Sequence, residues 1–124
     1  MIGTTNSIHL GITVEKLWTN PSPGSAFSAQ TVSLDLSEYS YILIHLIHNS
    51  DNDYGVNMFF TPVRVGYKET CANKASSTGN MVGRTATVST TGVTFTTGYN
   101  NSTSGTKYAV PCVIYGIRGL PMSD

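Results

Sequence analysis

Few side chains in this sequence are suited to acid–base or nucleophilic chemistry. The seven acidic residues are widely spaced, and only Asp51 and Asp53 lie close together. A separation of two residues in one loop does not set up the paired carboxyls of a glycosidase, which come from separate elements. Catalysis would otherwise need a nucleophile beside a base, or a metal cluster. The sequence predicts that the chain is not an enzyme.

Metal binding has two weak candidates. The stretch Asp51-Asn52-Asp53 offers hard oxygen ligands for calcium, but it lacks the glycine and the distal glutamate of an EF-hand loop. His45 and His48 are three residues apart, so on a strand they point to opposite faces and cannot share one metal ion. We therefore expect neither a metal nor a cofactor.

The two cysteines, Cys71 and Cys112, have no paired Cys or His spacing around them, which excludes a zinc-finger arrangement. Cys112 lies in an apolar strand pattern and is expected to be a buried free thiol. Cys71 lies in a polar stretch predicted to be a loop, where exposure is an option. A Cys71–Cys112 disulfide is an open alternative.

Sugar binding needs only aromatic platforms and a few polar groups, and the polar stretches supply both. Tyrosines occur in or beside the predicted loops 49–57, 67–80 and 98–106, with amide or carboxyl side chains nearby. A tyrosine ring can stack on a sugar while polar side chains bond its hydroxyls. The predicted ligand-binding residues are Asn52, Asp53, Tyr54, Asn57, Tyr67, Tyr99, Asn100 and Asn101.

The composition limits the possible partners. Charged residues make up 11% of the chain, and the formal net charge is zero. Serine, threonine and asparagine supply the polar surface instead. A nucleic-acid-binding protein needs clustered lysine and arginine, which the sequence lacks. It also lacks an apolar run long enough to span a bilayer, and residues 1–7 do not resemble a signal peptide. We expect no nucleic acid partner and no membrane insertion.

The elements that position these side chains are predicted to be strands, because apolar and polar residues alternate between turns rich in Gly, Asn, Ser and Pro. In the first strand, Ile12, Val14 and Trp18 are expected to share one buried face. Residues 69–79 form the most loop-like long stretch. Thr90-Thr91-Gly92 predicts a hairpin turn. The predicted strands are 8–18, 29–36, 41–48, 58–67, 81–89, 93–97 and 107–117.

A chain of 124 residues is long enough for one core and too short for two. Seven or eight strands without a helix predict an all-β fold, an antiparallel β-sandwich or jelly roll. We expect a single domain over residues 1–124, with flexible ends at 1–7 and 120–124. Its place as the C-terminal module of a longer chain is a further option.

One predicted strand stands out because residues 41–48 (YILIHLIH) are almost continuously apolar. This pattern indicates a central strand that is covered on both faces or lies at an interface. His45 falls on the same face as Tyr41, Leu43 and Ile47. These four residues are the predicted interface of a homo-oligomer, with a trimer as one form.

Several stretches together resemble a known family. Residues 16–23 (KLWTNPSP), then 27–39 (FSAQTVSLDLSEY) and the apolar strand 41–47, resemble a domain recurring in tail-associated and minor structural proteins of bacteriophages and prophages of Gram-positive bacteria. Residues 84–97 and 108–117 are similar to the penultimate hairpin and the last strand of that pattern. The likeness covers residues 12–119 and is weakest over 49–80.

This resemblance implies a virion component: a distal tail or tail-fibre module that acts outside the cell at the bacterial surface. The implied partners are a bacterial surface glycan and other virion tail proteins, and no catalytic residues carry over. A purely structural assembly module without receptor contact is the alternative. Trp18 and Phe27, on either side of the proline-rich turn, are expected to form a hydrophobic plug at one end of the sandwich.

Overall fold

A computed structural model describes residues 11–49, 53–74 and 79–119. In this part of the chain the fold is all-β, with ten strands in two antiparallel sheets. This confirms the predicted β-sandwich, with more strands than expected. The strands are β1 Thr13–Thr19, β2 Gln30–Ser33, β3 Tyr41–Asn49, β4 Asp53–Pro62, β5 Tyr67–Lys74, β6 Met81–Ser89, β7 Gly92–Phe95, β8 Tyr99–Asn100, β9 Thr103–Ser104 and β10 Tyr108–Arg118.

The two sheets differ in size and supply alternate residues to a shared core. The four-stranded sheet has the order β1-β10-β3-β4, and the larger sheet has the order β2-β7-β6-β8-β9, with β5 also paired to β6. Successive side chains of a strand point to opposite faces, so every second residue faces the core. The fully buried core side chains include Ile42, Ile44 and Ile114 of the first sheet and Ala86, Val88, Val93 and Phe95 of the second.

The predicted plug of aromatic residues is present. The rings of Trp18 and Phe27 lie 6.1 Å apart in an edge-on arrangement, and Phe27 packs in the same way on Phe95 at 5.8 Å. Buried Asn20 fastens the turn between them, because its side-chain amide donates to the carbonyl of Pro111 at 2.8 Å. Asn20 and Phe27 therefore anchor the two ends of the proline-rich turn to the core, while residues 21–26 between them are exposed.

Two predicted loops are in fact strands. β4 begins at Asp53, inside the predicted loop 49–57, and β5 spans Tyr67–Lys74, where the sequence indicated a loop. Both strands lie at sheet edges. An edge strand often carries polar and charged residues, which hinder pairing with another chain. Such a strand lacks the alternating apolar residues by which a strand is recognised in a sequence.

The expectation for β1 was wrong in its phase. Ile12 and Val14 are 48% and 58% exposed, and they do not share a buried face with Trp18. A β-bulge between Lys16 and Trp18 inserts one extra residue, Leu17, into the pairing with β10. The bulge reverses the alternation, so that Trp18 turns inward while Val14 faces outward.

Both cysteines are free and buried, so the alternative of a Cys71–Cys112 disulfide is not realised. The buried thiol expected for Cys112 is confirmed. Cys71 is only 2% exposed, because it lies on the inner face of β5 opposite Arg84. Burial raises the pKa of Cys71 to about 12 and also raises that of Cys112.

Candidate functional site

Several strand ends meet at one end of the sandwich, which we call the loop end. β3 finishes there opposite the start of β4, and Asn49 also pairs with Tyr108 at the start of β10. In the other sheet, β5 finishes opposite Met81, where β6 begins. A hydrogen bond from the amide of Asn73 to that of Asn57 joins the two sheets beside this end. The loop end therefore combines segments that are distant in sequence.

Of the predicted ligand-binding residues that the structure describes, all but Tyr67 lie toward the loop end. The backbone of β4 places Asp53 and Tyr54 there, whereas Asn52 lies outside the described residues. Tyr67 pairs with Val88 next to the β6–β7 turn, so it lies at the opposite end of the sandwich. Its hydroxyl approaches Glu69 at 3.4 Å. Tyr67 cannot contribute to the same site as the others.

The remaining predicted residues have structural roles at the loop end. Asn101 adopts a φ of 53° in the β8–β9 turn, and its Oδ1 accepts a hydrogen bond of 2.9 Å from the Met81 N–H. The Oδ1 of Asn100 is buried. Tyr99 covers Gly83, where a Cβ would lie 2.5 Å from the tyrosine hydroxyl oxygen. Tyr99 and Asn101 therefore contact β6 and fix the position of the β8–β9 turn.

A groove at the loop end offers a better candidate. It has a volume of about 490 Å³, and the proline-rich turn and the chain leading into β10 form its two sides. The Phe27 N–H joins the sides by donating to the Thr106 carbonyl at 2.8 Å. Hydroxyls and small side chains dominate the lining, and Tyr108 provides a half-buried ring. The lining residues are Gly24, Ser25, Ala26, Ser104, Gly105, Thr106, Lys107 and Tyr108.

Two glycines allow the groove wall to fold closely on itself. A Cβ at Gly105 would lie 2.6 Å from the ring of Tyr108, and a Cβ at Gly98 would collide with the Tyr108 carbonyl oxygen. Next to Tyr108, Ala109 adopts a φ of 48°, which a residue with a Cβ rarely does. Backbone strain of this kind persists only where the surrounding structure enforces it, and it is common at binding sites.

Arg84 enforces this backbone. Its side chain is fully buried on the inner face of β6, and in the described part of the chain it pairs with no carboxylate. The guanidinium donates instead to five backbone carbonyls at 2.7–3.2 Å, and it lies 5.4 Å from the centre of the Phe27 ring. The acceptors belong to Phe27, Thr96, Thr106, Tyr108 and Ala109.

The guanidinium of Arg84 remains charged at neutral pH. Burial lowers its pKa to about 10, which is still well above 7. Five donors in a planar fork can satisfy several carbonyls at once, as no other side chain can. From the core side of the groove, Arg84 therefore holds the backbone of both groove walls in place. The sequence carried a sign of this, since Arg84 replaces an apolar residue in the inward series Val82, Ala86 and Val88.

A second candidate surface is the outer face of the four-stranded sheet, which we call the outer apolar face. It is formed by Val14 of β1, Val113 and Tyr115 of β10, Tyr41, Leu43 and His45 of β3, and Met58 and Phe60 of β4. Val14, Met58 and Phe60 are each at least half exposed. The rings of Tyr41 and Phe60 stack at 4.7 Å.

The predicted interface residues divide between this face and the core. Tyr41, Leu43 and His45 are half-buried on the outer apolar face, whereas Ile47 is 8% exposed and packs with the core. The Nε2 of His45 is buried and has no hydrogen-bond partner in the described residues. Desolvation lowers the pKa of His45, so its imidazole is neutral at pH 7. The face therefore has little charge.

The described residues contain no group of three His, Cys, Asp or Glu side chains placed to hold a metal ion. Over the same ranges, no helix is long and apolar enough to cross a bilayer.

Comparison of the chain with protein-family models, with curated proteins and with solved structures finds no match.

Proposed function

We propose that this chain is a non-catalytic module of a bacteriophage tail that binds a saccharide of the bacterial surface through the groove at its loop end. The observation that carries the proposal is the lining of that groove, in which hydroxyl side chains and exposed backbone surround one aromatic ring. The sequence resemblance to tail-associated domains supplies the biological setting, with other virion tail proteins as further partners.

The groove has the chemistry that a saccharide requires. Ser25, Ser104 and Thr106 can donate and accept hydrogen bonds with sugar hydroxyls. The Tyr108 ring offers an apolar face for the C–H side of a pyranose, and Lys107 lies 5.8 Å from the centre of that ring. Lys107 is the one cationic side chain in the groove lining, so the charge of the groove is compatible with a neutral sugar or with a sugar that carries an anionic group.

Rigidity of the groove supports binding by this surface. Arg84 holds the carbonyls of Phe27, Thr106 and Tyr108 in place before any ligand arrives. A site that is ordered in advance loses less conformational entropy on binding, so more of the contact energy appears as affinity. This matters for a saccharide, since its hydroxyls exchange bonds with water for bonds with protein and gain little from each exchange.

A binding assay with filled-groove variants tests the proposal. The protein is applied to a glycan array, to Gram-positive cells and to purified wall polysaccharides. Ser25→Trp places a large side chain into the groove from an exposed position and is expected to abolish binding. Tyr108→Phe keeps the ring and is expected to retain it. The matched control, Thr90→Trp, fills a smaller cavity of about 380 Å³ at the opposite end and leaves binding intact.

Two results would overturn the proposal. Absence of wild-type binding to every cell type and polymer would remove the saccharide function. Equal binding by Ser25→Trp and the wild type would show that the ligand sits elsewhere. Circular dichroism of each variant verifies that a loss of binding does not come from unfolding.

A purely structural role in virion assembly is the second candidate, and the outer apolar face favours it. A face with several half-exposed large apolar residues is unusual for a surface in contact with water alone. The two functions are separable, because Ser25→Trp and Met58→Lys affect different surfaces. If binding is absent but tail assembly fails with Met58→Lys, the structural role is the correct one.

A further inference from the structure

We propose that two copies of this chain associate face to face through the outer apolar face, related by a two-fold axis. The proposal does not depend on saccharide binding, since the groove and this face lie on different parts of the molecule. It rests on a contrast between the two sheets, on the area left exposed and on the lack of charge.

The outer face of the larger sheet shows how this chain covers a sheet that faces water. Threonines of neighbouring strands line up across it, and the hydroxyls of Thr31 and Thr94 form a hydrogen bond of 2.8 Å. We call this surface the threonine face; it comprises Thr31 of β2, Thr94 of β7, Thr85 and Thr87 of β6, and Thr70 of β5. Threonine combines a high strand propensity with a hydroxyl for water.

The outer apolar face has large apolar side chains, and not threonine, at its exposed strand positions. Val14, Met58 and Phe60 occupy edge strands and are 58%, 50% and 50% exposed, although the same chain places threonine at exposed strand positions of the other sheet. Ile12 extends the apolar surface beyond β1 with 48% exposure. Strand propensity therefore does not explain these residues, whereas a covered surface does.

The exposed area is appropriate for a contact between two small proteins. The half-exposed parts of Ile12, Val14, Met58 and Phe60 amount to roughly 400 Å² of apolar surface, within the range of the largest functional patches on monomers. The half-buried residues between them add to it, so two such faces would together bury on the order of 1,000 Å², the lower limit for a specific interface. Two sheets pack closely when both present flat faces of this kind.

The charge on the face selects a second copy as the occupant. Among the residues of β1, β3, β4 and β10 whose side chains the structure describes, the ionisable groups on the outer apolar face are Lys16, Tyr41, His45 and Tyr115. His45 is neutral, which leaves Lys16 at the β1 edge as the one charged side chain among them, too little to select a strongly charged partner. A two-fold contact requires a self-complementary patch. With the axis parallel to the strands, β1 faces β4 of the second copy and the two Lys16 side chains lie at opposite edges.

Sedimentation velocity on the full chain tests this pair. At concentrations on the order of 100 µM, the wild type is expected to sediment as a dimer even if its Kd is ~10 µM. Met58→Lys introduces a charge at a half-exposed position of the edge strand β4 and is expected to weaken association at least tenfold. Phe60→Ala is expected to weaken it less. The matched control is Thr70→Lys on the edge strand β5, which leaves the dimer unchanged.

A wild-type chain that remains monomeric at this concentration would overturn the proposal, whichever segment or protein then covers the face. A dimer that persists in Met58→Lys but dissociates in Thr70→Lys would overturn it as well, by moving the interface to the threonine face. Thermal unfolding of each variant verifies that the fold is retained. Saccharide binding by a monomeric Met58→Lys variant would show that the two proposals are separate.

Discussion

Arg84 and Arg118 lie at opposite ends of the sandwich, and each links neighbouring segments there by a different kind of contact. Arg84 is fully buried at the loop end and donates to backbone carbonyls alone. Arg118 lies at the far end of β10 with 39% of its side chain exposed, and it contacts Glu15 at 2.8 Å and Glu38 at 3.0 Å. Its guanidinium also lies over the ring of Tyr39 at 4.7 Å.

The two environments have different consequences for stability. When the Arg118 side chain is removed, water can take the place of its guanidinium at Glu15 and Glu38, because both carboxylates are exposed to solvent. Arg84 is fully buried, and without it the buried carbonyls of Phe27 and Ala109 lose their side-chain donor where water does not easily reach. Arginine is therefore expected to contribute much to the free energy of unfolding at the loop end and little at the opposite end. Three predictions test this difference.

The largest effect is expected for Arg84→Met. Methionine fits the space but removes all five hydrogen bonds, of which only the Thr106 carbonyl keeps a stated donor, the Phe27 N–H. The free energy of unfolding should fall by about 3–5 kcal/mol. Urea denaturation followed by tryptophan fluorescence measures the change. A loss below about 1 kcal/mol would mean that the carbonyls find other donors, and the comparison between the two ends would fail.

A charge-conserving exchange sharpens the comparison. Lysine keeps the charge but has one ammonium group, which cannot reach carbonyls spread around a guanidinium. Arg84→Lys is expected to lower the free energy of unfolding by about 2 kcal/mol, whereas Arg118→Lys leaves the urea midpoint near that of the wild type. Equal effects of the two exchanges would show that charge, and not the planar fork, is what matters at the loop end.

The smallest effect is expected for Arg118→Met. Its shift of the thermal midpoint should be less than about a quarter of the shift caused by Arg84→Met, because exposed ion pairs contribute little. It should shrink further in about 1 M NaCl, where the screening length falls to about 3 Å. The Arg84→Met shift should persist in the same salt. Salt sensitivity of both variants alike would contradict the assignment of Arg84 to the interior.

Much of the sandwich could be predicted from the sequence, because the burial of one face makes apolar and polar residues alternate along the inner strands. The hairpin of β6 and β7 was predicted with its turn, since Thr90-Thr91-Gly92 separates two alternating runs. β5 was missed because an edge strand needs polar residues such as Lys68 and Glu69. The phase of β1 was wrong because a bulge at Leu17 leaves no mark in a periodic pattern.

The candidate site was harder to predict than the fold. Loops were grouped by composition, but only the pairing of strands reveals which of them share an end, and it separates Tyr67 from Tyr99. The groove was missed because Ser25 and Tyr108 are more than eighty residues apart in sequence. Arg84 was recognisable in principle, as a charge in an inward apolar series. Its carbonyl partners were not, since backbone atoms carry no sequence signal.

Burial of the two thiols has a practical consequence for work on this molecule. Cys71 has a pKa of about 12 and Cys112 a raised one, so at neutral pH neither presents a reactive thiolate to a maleimide or to a disulfide reagent. A cysteine introduced at an exposed position becomes the one that reacts. Fluorophores or spin labels can therefore be attached at chosen sites without removing the native cysteines.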